Sequence, residues 1–399
     1  MKKLMIMGAG ASQVPLIQAA KRLGYHTIVT SIPGNYPGFS IADTCCYADI
    51  SKPEEVLEAA VKYGISGITT CGMDTGIRAI GRVCDELGLT GISYEAACTF
   101  TDKYLSKKSF QTSRTPCAEA FRIEKRTDLE EALQKLRLPV VLKAVDLMGS
   151  RGIYRCDTKE EAFANCEKVM EHTSRDYCLA EEFLEGLLFG AEGMMTDGKL
   201  DYLLPYGTDI YHESTIATSI GHFVPFPDAA QYQEQMEETL LGALRGAGAR
   251  STPFNCDLML KDGKVYLIEI NGRAGASCLS ETVGIYFGID YYETICRQAM
   301  GEPVRDCFRL KNGRGRASIS RMLTADRDGI LEEIRLPREE KTENYELILN
   351  VREGDPVRFY QYGRDRLGQV IVQGDSLMEC REAMENVLAD IHFGIRDRN

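Results

Sequence analysis

Of three oxygen-bearing side chains, Asp257 and Glu269 fall on two alternating runs, 255–260 and 265–270, that flank Lys261-Asp262-Gly263-Lys264, and Asn271 directly follows the second. An Asp-Gly pair between such runs is a strong short-range hairpin signal. Residues two apart on a strand share a face, so Glu269, Asn271 and Arg273 line up. Asp257 and Glu269 lie at similar distances from the turn and are expected to be near cross-strand partners. Two adjacent carboxylates repel, and a divalent cation removes that conflict. Two carboxylates and an amide suit Mg²⁺, which keeps other positions for water and phosphate. Arg273, one step on, could hold a phosphate or carboxylate in a bidentate fork. On these residues alone, a solvated hairpin face closed by a salt bridge fits equally well.

Two lysines bear on that choice. Lys143 ends the apolar run Val140-Val141-Leu142, where a charge is costly unless an anion meets it. Gly149, Ser150, Arg151 and Gly152 follow it closely, a composition that lets backbone N–H groups approach phosphate oxygens. Lys103, in Thr101-Asp102-Lys103, heads a polar helical stretch and by itself also reads as a surface lysine. The segment 178–186 reads as a strand running into an extended connector, Glu181-Glu182-Phe183-Leu184-Glu185-Gly186. Such a backbone can present N–H and C=O groups to the edge of an adenine ring.

The elements that must carry these residues follow from periodicity. The first hundred residues alternate strand and helix: runs 4–8, 26–30, 44–48 and 67–71 against helical stretches 14–23, 53–63 and 77–87. Ser51 is a candidate N-cap, Pro53 a first-turn proline and Gly64 a C′ residue. This is an open α/β layer of the doubly wound type. A polar helical stretch at 93–115 precedes a second βαβ-like set (120–123, 127–136, 140–143, then helix 158–172). Strands 178–182, 189–195 and 200–206, a helix at 231–244, the hairpin and a helix at 291–300 come next. A strand-rich tail from 314 to 372 ends in a helix at 377–391.

Gly8-Ala9-Gly10 suggests a dinucleotide site, but Gln13 takes the third glycine position and Thr30-Ser31 end the second strand without a carboxylate. The loop 71–76 lies at the carboxyl end of a strand, where open sheets bind ligands, so Asp74 is a candidate for a substrate ammonium group or for a helix N-cap. Tyr211, His212, Glu213 and His222 fall in a segment read as irregular. A histidine there is either a substrate contact or acid/base, or an ordinary surface residue. The small residues 274–277, with Gly275 and Ser277, permit close approach of a carboxylate such as that of an amino acid.

At 399 residues two to four packed units are expected. A net charge of −12 argues against nonspecific binding of nucleic acid. No apolar run is long enough to span a bilayer, and a cytoplasmic setting is expected. Fourteen cysteines without any CxxC pair fit scattered reduced thiols.

In their order, Lys103, Lys143, Gly149–Gly152, Glu181–Leu184, Asp257 and Glu269-Ile270-Asn271-Gly272-Arg273 resemble the motifs of the ATP-grasp superfamily. The resemblance implies an α/β and α+β multidomain chain. It would have a Rossmann-like N-terminal domain (1–100), an ATP-grasp domain (101–310, with a lid at about 115–185 and a metal-binding part at about 186–310) and a β-rich C-terminal cap (311–399). The cap looks like that of the biotin carboxylase-like branch. It implies that Lys103, Lys143, Ser150 and Arg151 contact ATP phosphates and that Glu181, Glu182, Phe183 and Leu184 hold adenine. Asp257, Glu269 and Asn271 would bind Mg²⁺, with Mn²⁺ as a substitute. Arg273 and Lys143 would serve the chemistry, and Asp74, His212, Arg273, Gly275 and Ser277 the substrate. The ribose position of many relatives is Leu188 here, so Glu185 or Glu192 would take over. Asp257 stands where relatives often carry Glu, and the 146–152 loop has fewer glycines than carboxylase relatives.

The implied activity is carboxylate–amine ligation through an acyl phosphate. The partners would be small molecules, with neither nucleic acid nor membrane, and a homodimer is the common assembly. Bicarbonate activation and a nucleotide-binding regulator without turnover are the alternatives.

Overall fold

The computed structural model describes residues 1–147, 149, 151–211, 218–308 and 315–397, with backbone alone at 306 and 364. The chain divides into two compact units. The first comprises Met1–Leu204, Asp228–Ala276 and Asp290–Cys307; the second comprises Pro205–Pro227, Ser277–Ile289 and Phe308–Asn399.

The first unit opens with a parallel sheet in the order Thr44–Tyr47, His26–Ser31, Lys3–Met7, Gly67–Thr69. Its central strand is fully buried at Leu4, Met5, Ile6 and Met7, which explains the continuous apolar run. Helices Val14–Arg22, Pro53–Tyr63 and Ile77–Leu87 alternate with these strands. Gly64 closes its helix at φ 62°, a left-handed position that costs glycine little. Ser51 does not cap that helix: its hydroxyl donates to Asp49 Oδ1 at 2.6 Å, and Lys52 takes the cap position before Pro53.

The next sheet corrects the βαβ-like expectation. Its strands, ordered Ala120–Ile123, Cys178–Glu182, Val140–Ala144, Ile153–Cys156, all pair antiparallel. Ile153–Cys156 folds straight back on Val140–Ala144, so the glycine-containing segment between them is a hairpin loop and no parallel crossover is needed. Helices Arg126–Lys135 and Lys159–His172 bury Leu129, Leu133, Ala162 and Val169 against Ile123, Val140, Leu142 and Ala180.

A further antiparallel set in this unit orders Lys264–Asn271, Thr252–Lys261, Leu187–Thr196 and the start of Lys199–Tyr211. Helix Ala229–Gly246 packs on the Lys264–Asn271 strand.

In the second unit the remainder of Lys199–Tyr211 pairs with Thr218–Val224, followed by Ala317–Leu323, Gly368–Gly374 and Tyr345–Leu349. Gly329–Arg335, Pro356–Val357 and His392–Arg396 form a small separate sheet. Helix Leu377–Ala389 covers a core that includes Ile319, Leu331, Val370 and Val372.

The segment read as irregular is therefore partly a strand, Thr218–Val224, and His222 is buried in it opposite Thr208 and Ser320. Its ring lies edge-on to Tyr206 at 5.0 Å, and burial lowers its pKa to about 4, so it is a neutral interior imidazole. No helix among the described residues is long and apolar enough to cross a membrane.

Candidate active site

The geometry of the site starts at the turn of the 252–271 hairpin. Asp262 and Gly263 both take positive φ, 51° and 74°, as a two-residue turn matched to right-handed strand twist requires. That turn sets the register. Asp257 pairs with Glu269 and Asn255 with Asn271, with an irregularity just after Asp257. On its other side the Thr252–Lys261 strand pairs Asn255 with Glu192 and Asp257 with Gly190.

Cross-strand partners share a face, so Asp257 and Glu269 form one polar row, with Glu192, Asn255 and Asn271 beside it. Burial, reinforced by the charge of Glu269, pushes the Asp257 carboxyl up to about 7. No cluster of three or more His, Cys, Asp or Glu with metal-site geometry occurs among the described residues. The observed donor set is a repelling carboxylate pair flanked by amides, and that set fits a hard divalent cation whose remaining ligands come from water and phosphate.

Lys103 reaches this row. Asp102 caps the helix Lys103–Thr112 through the N–H groups of Tyr104 and Leu105 at 3.0 and 3.1 Å, and accepts from the Tyr177 hydroxyl at 2.5 Å. So fixed, Lys103 donates to Leu147 O at 2.6 Å and lies 3.7 Å from Glu269 Oε1. Lys143 projects from its strand onto Glu181 Oε1, and Lys107 lies 3.1 Å from Glu181 Oε2. Burial disfavours the Glu181 anion, but Lys107 and Lys143 more than offset this and hold its carboxyl below the usual range. Phe100, Lys103, Lys107, Lys143, Glu181 and Glu269 line one cleft.

Sequence reasoning misses Lys107. Its signal is the spacing Lys103, Lys107, one helical turn apart on one face. Asn255 escapes as well, although it stands two residues before Asp257 on the same strand face.

The connector is placed beside this cleft. Glu182 N donates to Glu119 O at 2.9 Å and its carboxylate lies 3.4 Å from Lys261 Nζ. Phe183 lies under the Arg155 guanidinium at 4.5 Å, and Leu184 is buried. Gly149 and Gly152 both take φ 64°, and Ala144 N donates to Gly152 O at 2.8 Å across the loop base. Arg151 is half-buried there, while Ser150 lies outside the described residues.

Two expectations are corrected. Glu192, expected at a ribose on the surface of the site, is fully buried, with Oε1 accepting from Gly275 N at 2.6 Å and Asn255 Nδ2 at 3.3 Å. Gly275 thereby serves the turn after the hairpin through its N–H. Asp74 neither caps a helix nor stands open to an ammonium group, because Arg273 occupies it. The guanidinium is bidentate, Nε to Oδ1 at 2.5 Å and Nη2 to Oδ2 at 2.8 Å, with each side chain 12% exposed. Burial opposes the Arg273 charge, and Asp74 overcomes it. Ser277 has φ 62° and belongs to the second unit, and His212 lies outside the described residues.

Burial, the largest cause, raises the Glu192 carboxyl to about 8 from 4.5. The folded state therefore binds a proton that the unfolded chain releases, and this contribution to stability is complete below about pH 4.5 and lost as pH rises through 8. Glu192→Gln mimics the protonated form. It is expected to flatten the fall in unfolding free energy between pH 5 and 8 seen in urea titrations; parallel wild-type and variant profiles would remove the assignment.

Comparison with known proteins finds relatives for the chain. Residues 136–282 match the ATP-grasp domain, and residues 321–396 match the L-amino acid ligase C-terminal domain 2. The crystal structure of phosphoribosylglycinamide synthetase from Anaerococcus prevotii is similar over 99% of this chain and 100% of its own, with 34% identity and a TM-score of 0.83. An L-amino acid ligase from Bacillus licheniformis shares the fold (TM-score 0.83, 19% identity, 100% and 99% covered). Alanine–anticapsin ligase of Bacillus subtilis is 25% identical over 275 residues, which span 61% of this chain and 57% of that enzyme.

Proposed function

Because the chain belongs to the ATP-grasp superfamily, as an ATP-dependent ligase that forms carbon–nitrogen bonds, we propose that it activates a small carboxylic acid, an amino acid in the first instance, as its acyl phosphate and passes it to an amine. The observation that carries this reading is the carboxylate pair Asp257–Glu269, with Lys103 bridging from Glu269 to the cleft that Lys107, Lys143 and Glu181 line.

Phosphoryl transfer asks the protein for positioning and charge compensation more than for covalent help. Lys103 and Lys143 supply ammonium groups for phosphate oxygens, and the connector 182–184 supports the base. Asp257, Glu269 and Asn271 are the residues that would hold Mg²⁺, which when bound offsets phosphate charge. A carboxylate oxygen of the acid attacks the γ-phosphorus and the bond to the β-phosphate oxygen breaks, giving acyl phosphate and ADP. The amine then attacks the acyl carbon, the carbon–oxygen bond to phosphate breaks, and an amide, inorganic phosphate and a proton result. Arg273, two residues beyond Asn271, is a further cation for this path. It is paired to Asp74 through Nε and Nη2, which fixes the plane of the guanidinium.

The match of residues 321–396 to an L-amino acid ligase domain and the small residues after Arg273 support an amino acid as the acid. The names of the similar synthetase and ligases point the same way. The reading takes ATP and Mg²⁺ as requirements, small molecules as partners and the cytoplasm as the setting. The test is a screen of amino acids, alone and in pairs, for stimulated ADP release, with mass spectrometry of the product. Amino-acid-dependent ADP release with a product of summed mass less one water is expected; release stimulated by bicarbonate alone would sink the amine-ligase reading.

A further inference from the structure

Lys107 is not accounted for by the activity described above. Its side chain is 4% exposed, and its partner Glu181 is 4% exposed as well. Its ammonium lies 3.1 Å from Glu181 Oε2, yet no acceptor meets it in hydrogen-bonding geometry among the described residues. It lines the same cleft as Lys103 and Lys143. One carboxylate, Glu181, thus lies between two ammonium groups, with Lys143 on one oxygen and Lys107 on the other.

A single carboxylate neutralises one of these lysines and leaves one positive charge on a largely buried pair. An unpaired buried charge is costly, so the cleft is built for a further anion. The arrangement also decides which lysine can respond. If Lys143 were the sole partner of Glu181, moving it toward a phosphate would strand a buried carboxylate. With Lys107 on the second oxygen, Glu181 stays compensated while Lys143 turns to the ligand.

We propose that Lys107 is a positioning residue for recognition of the polyphosphate of a nucleotide. It holds Glu181 so that Lys143 is released to bind phosphate, with Glu181 as the counter-charge between the two lysines. The inference rests on the nucleotide-binding reading of the cleft.

The test measures binding, not turnover, by calorimetry with MgATP, MgADP and adenosine, with thermal melts as the check of folding. K107M is expected to weaken MgATP and MgADP by at least about tenfold, the scale of losing one buried charge contact. Adenosine affinity is expected to stay within about threefold, since no phosphate is involved. K107R is expected to recover most of the loss. The deciding arm is the double variant K107M/E181Q: removing the carboxylate frees Lys143 again, so it is expected to bind MgATP more tightly than K107M.

A purely structural role for Lys107 makes the double variant as weak as K107M or weaker, and that result overturns the proposal. Equal MgATP affinity in K107M and wild type overturns it too, as does an equal loss for adenosine. A wild-type chain that binds no MgATP overturns the nucleotide reading together with this inference, which separates the two failures. Should K107M not fold, E181Q decides: affinity for MgATP within about threefold of wild type supports the release of Lys143, and loss of binding contradicts it.

Discussion

Glu269→Gln is expected to lower kcat at least about 100-fold at saturating Mg²⁺ while leaving a folded chain. Glutamine keeps the size of the side chain and its place opposite Asp257, so the hairpin register, set by the Asp262-Gly263 turn, has no reason to change. What is lost is one of the two negative charges proposed to face a cation. The same substitution also removes the like charge that contributes to pushing the Asp257 carboxyl up to about 7. Without metal the variant is therefore expected to melt at or above the wild-type temperature. With Mg²⁺ the wild type is expected to gain thermal stability by ligand linkage, and the variant to gain little. Wild-type turnover in Glu269→Gln would show that the pair is a solvated sheet face, the reading that the hairpin alone leaves open.

Arg273→Ala is expected to reduce kcat about 100-fold with less than about a threefold change in KM for ATP, the signature of a contact made mainly in the transition state. The Arg273–Asp74 pair adds a second consequence. Arg273 and Asp74 satisfy one another in bidentate geometry, each 12% exposed, so Asp74→Ala strands a buried guanidinium. That is expected to destabilise the chain by about 3 kcal/mol in urea unfolding. The double variant Asp74→Ala/Arg273→Ala is expected to lose less than the sum of the two single changes, because neither charge is then left alone. Strict additivity would place the two residues in independent roles, and an unchanged kcat in Arg273→Ala would make the pair structural.

Much of the site is legible in the sequence because local chemistry sets it. An Asp-Gly turn between alternating runs fixes strand register, and register alone brings Glu269 opposite Asp257. The helix Ile77–Leu87 and the strands Ala120–Ile123 and Cys178–Glu182 fall where periodicity puts them.

What escapes depends on pairings across sequence. Asp74 and Arg273 lie 199 residues apart, and nothing near either shows that each neutralises the other. Val140–Ala144 carries the apolar run of a buried parallel strand, yet its partners run antiparallel because the loop after it returns at once to Ile153–Cys156. Glu192 has the spacing of a ligand-facing residue on its strand, but the 272–276 turn closes over it through Gly275 N. Lys107 is concealed by composition: a lysine among Lys103, Lys107 and Lys108 reads as one more solvated charge until its 4% exposure is seen.

The most direct test of the proposed chemistry follows oxygen. The acid that stimulates ADP release is supplied with ¹⁸O in its carboxylate, and the inorganic phosphate formed is examined by mass spectrometry. An acyl phosphate passes one carboxylate oxygen to phosphorus, so one ¹⁸O per phosphate is expected in step with amide formation. Unlabelled phosphate, or label appearing in AMP, would contradict the acyl-phosphate route.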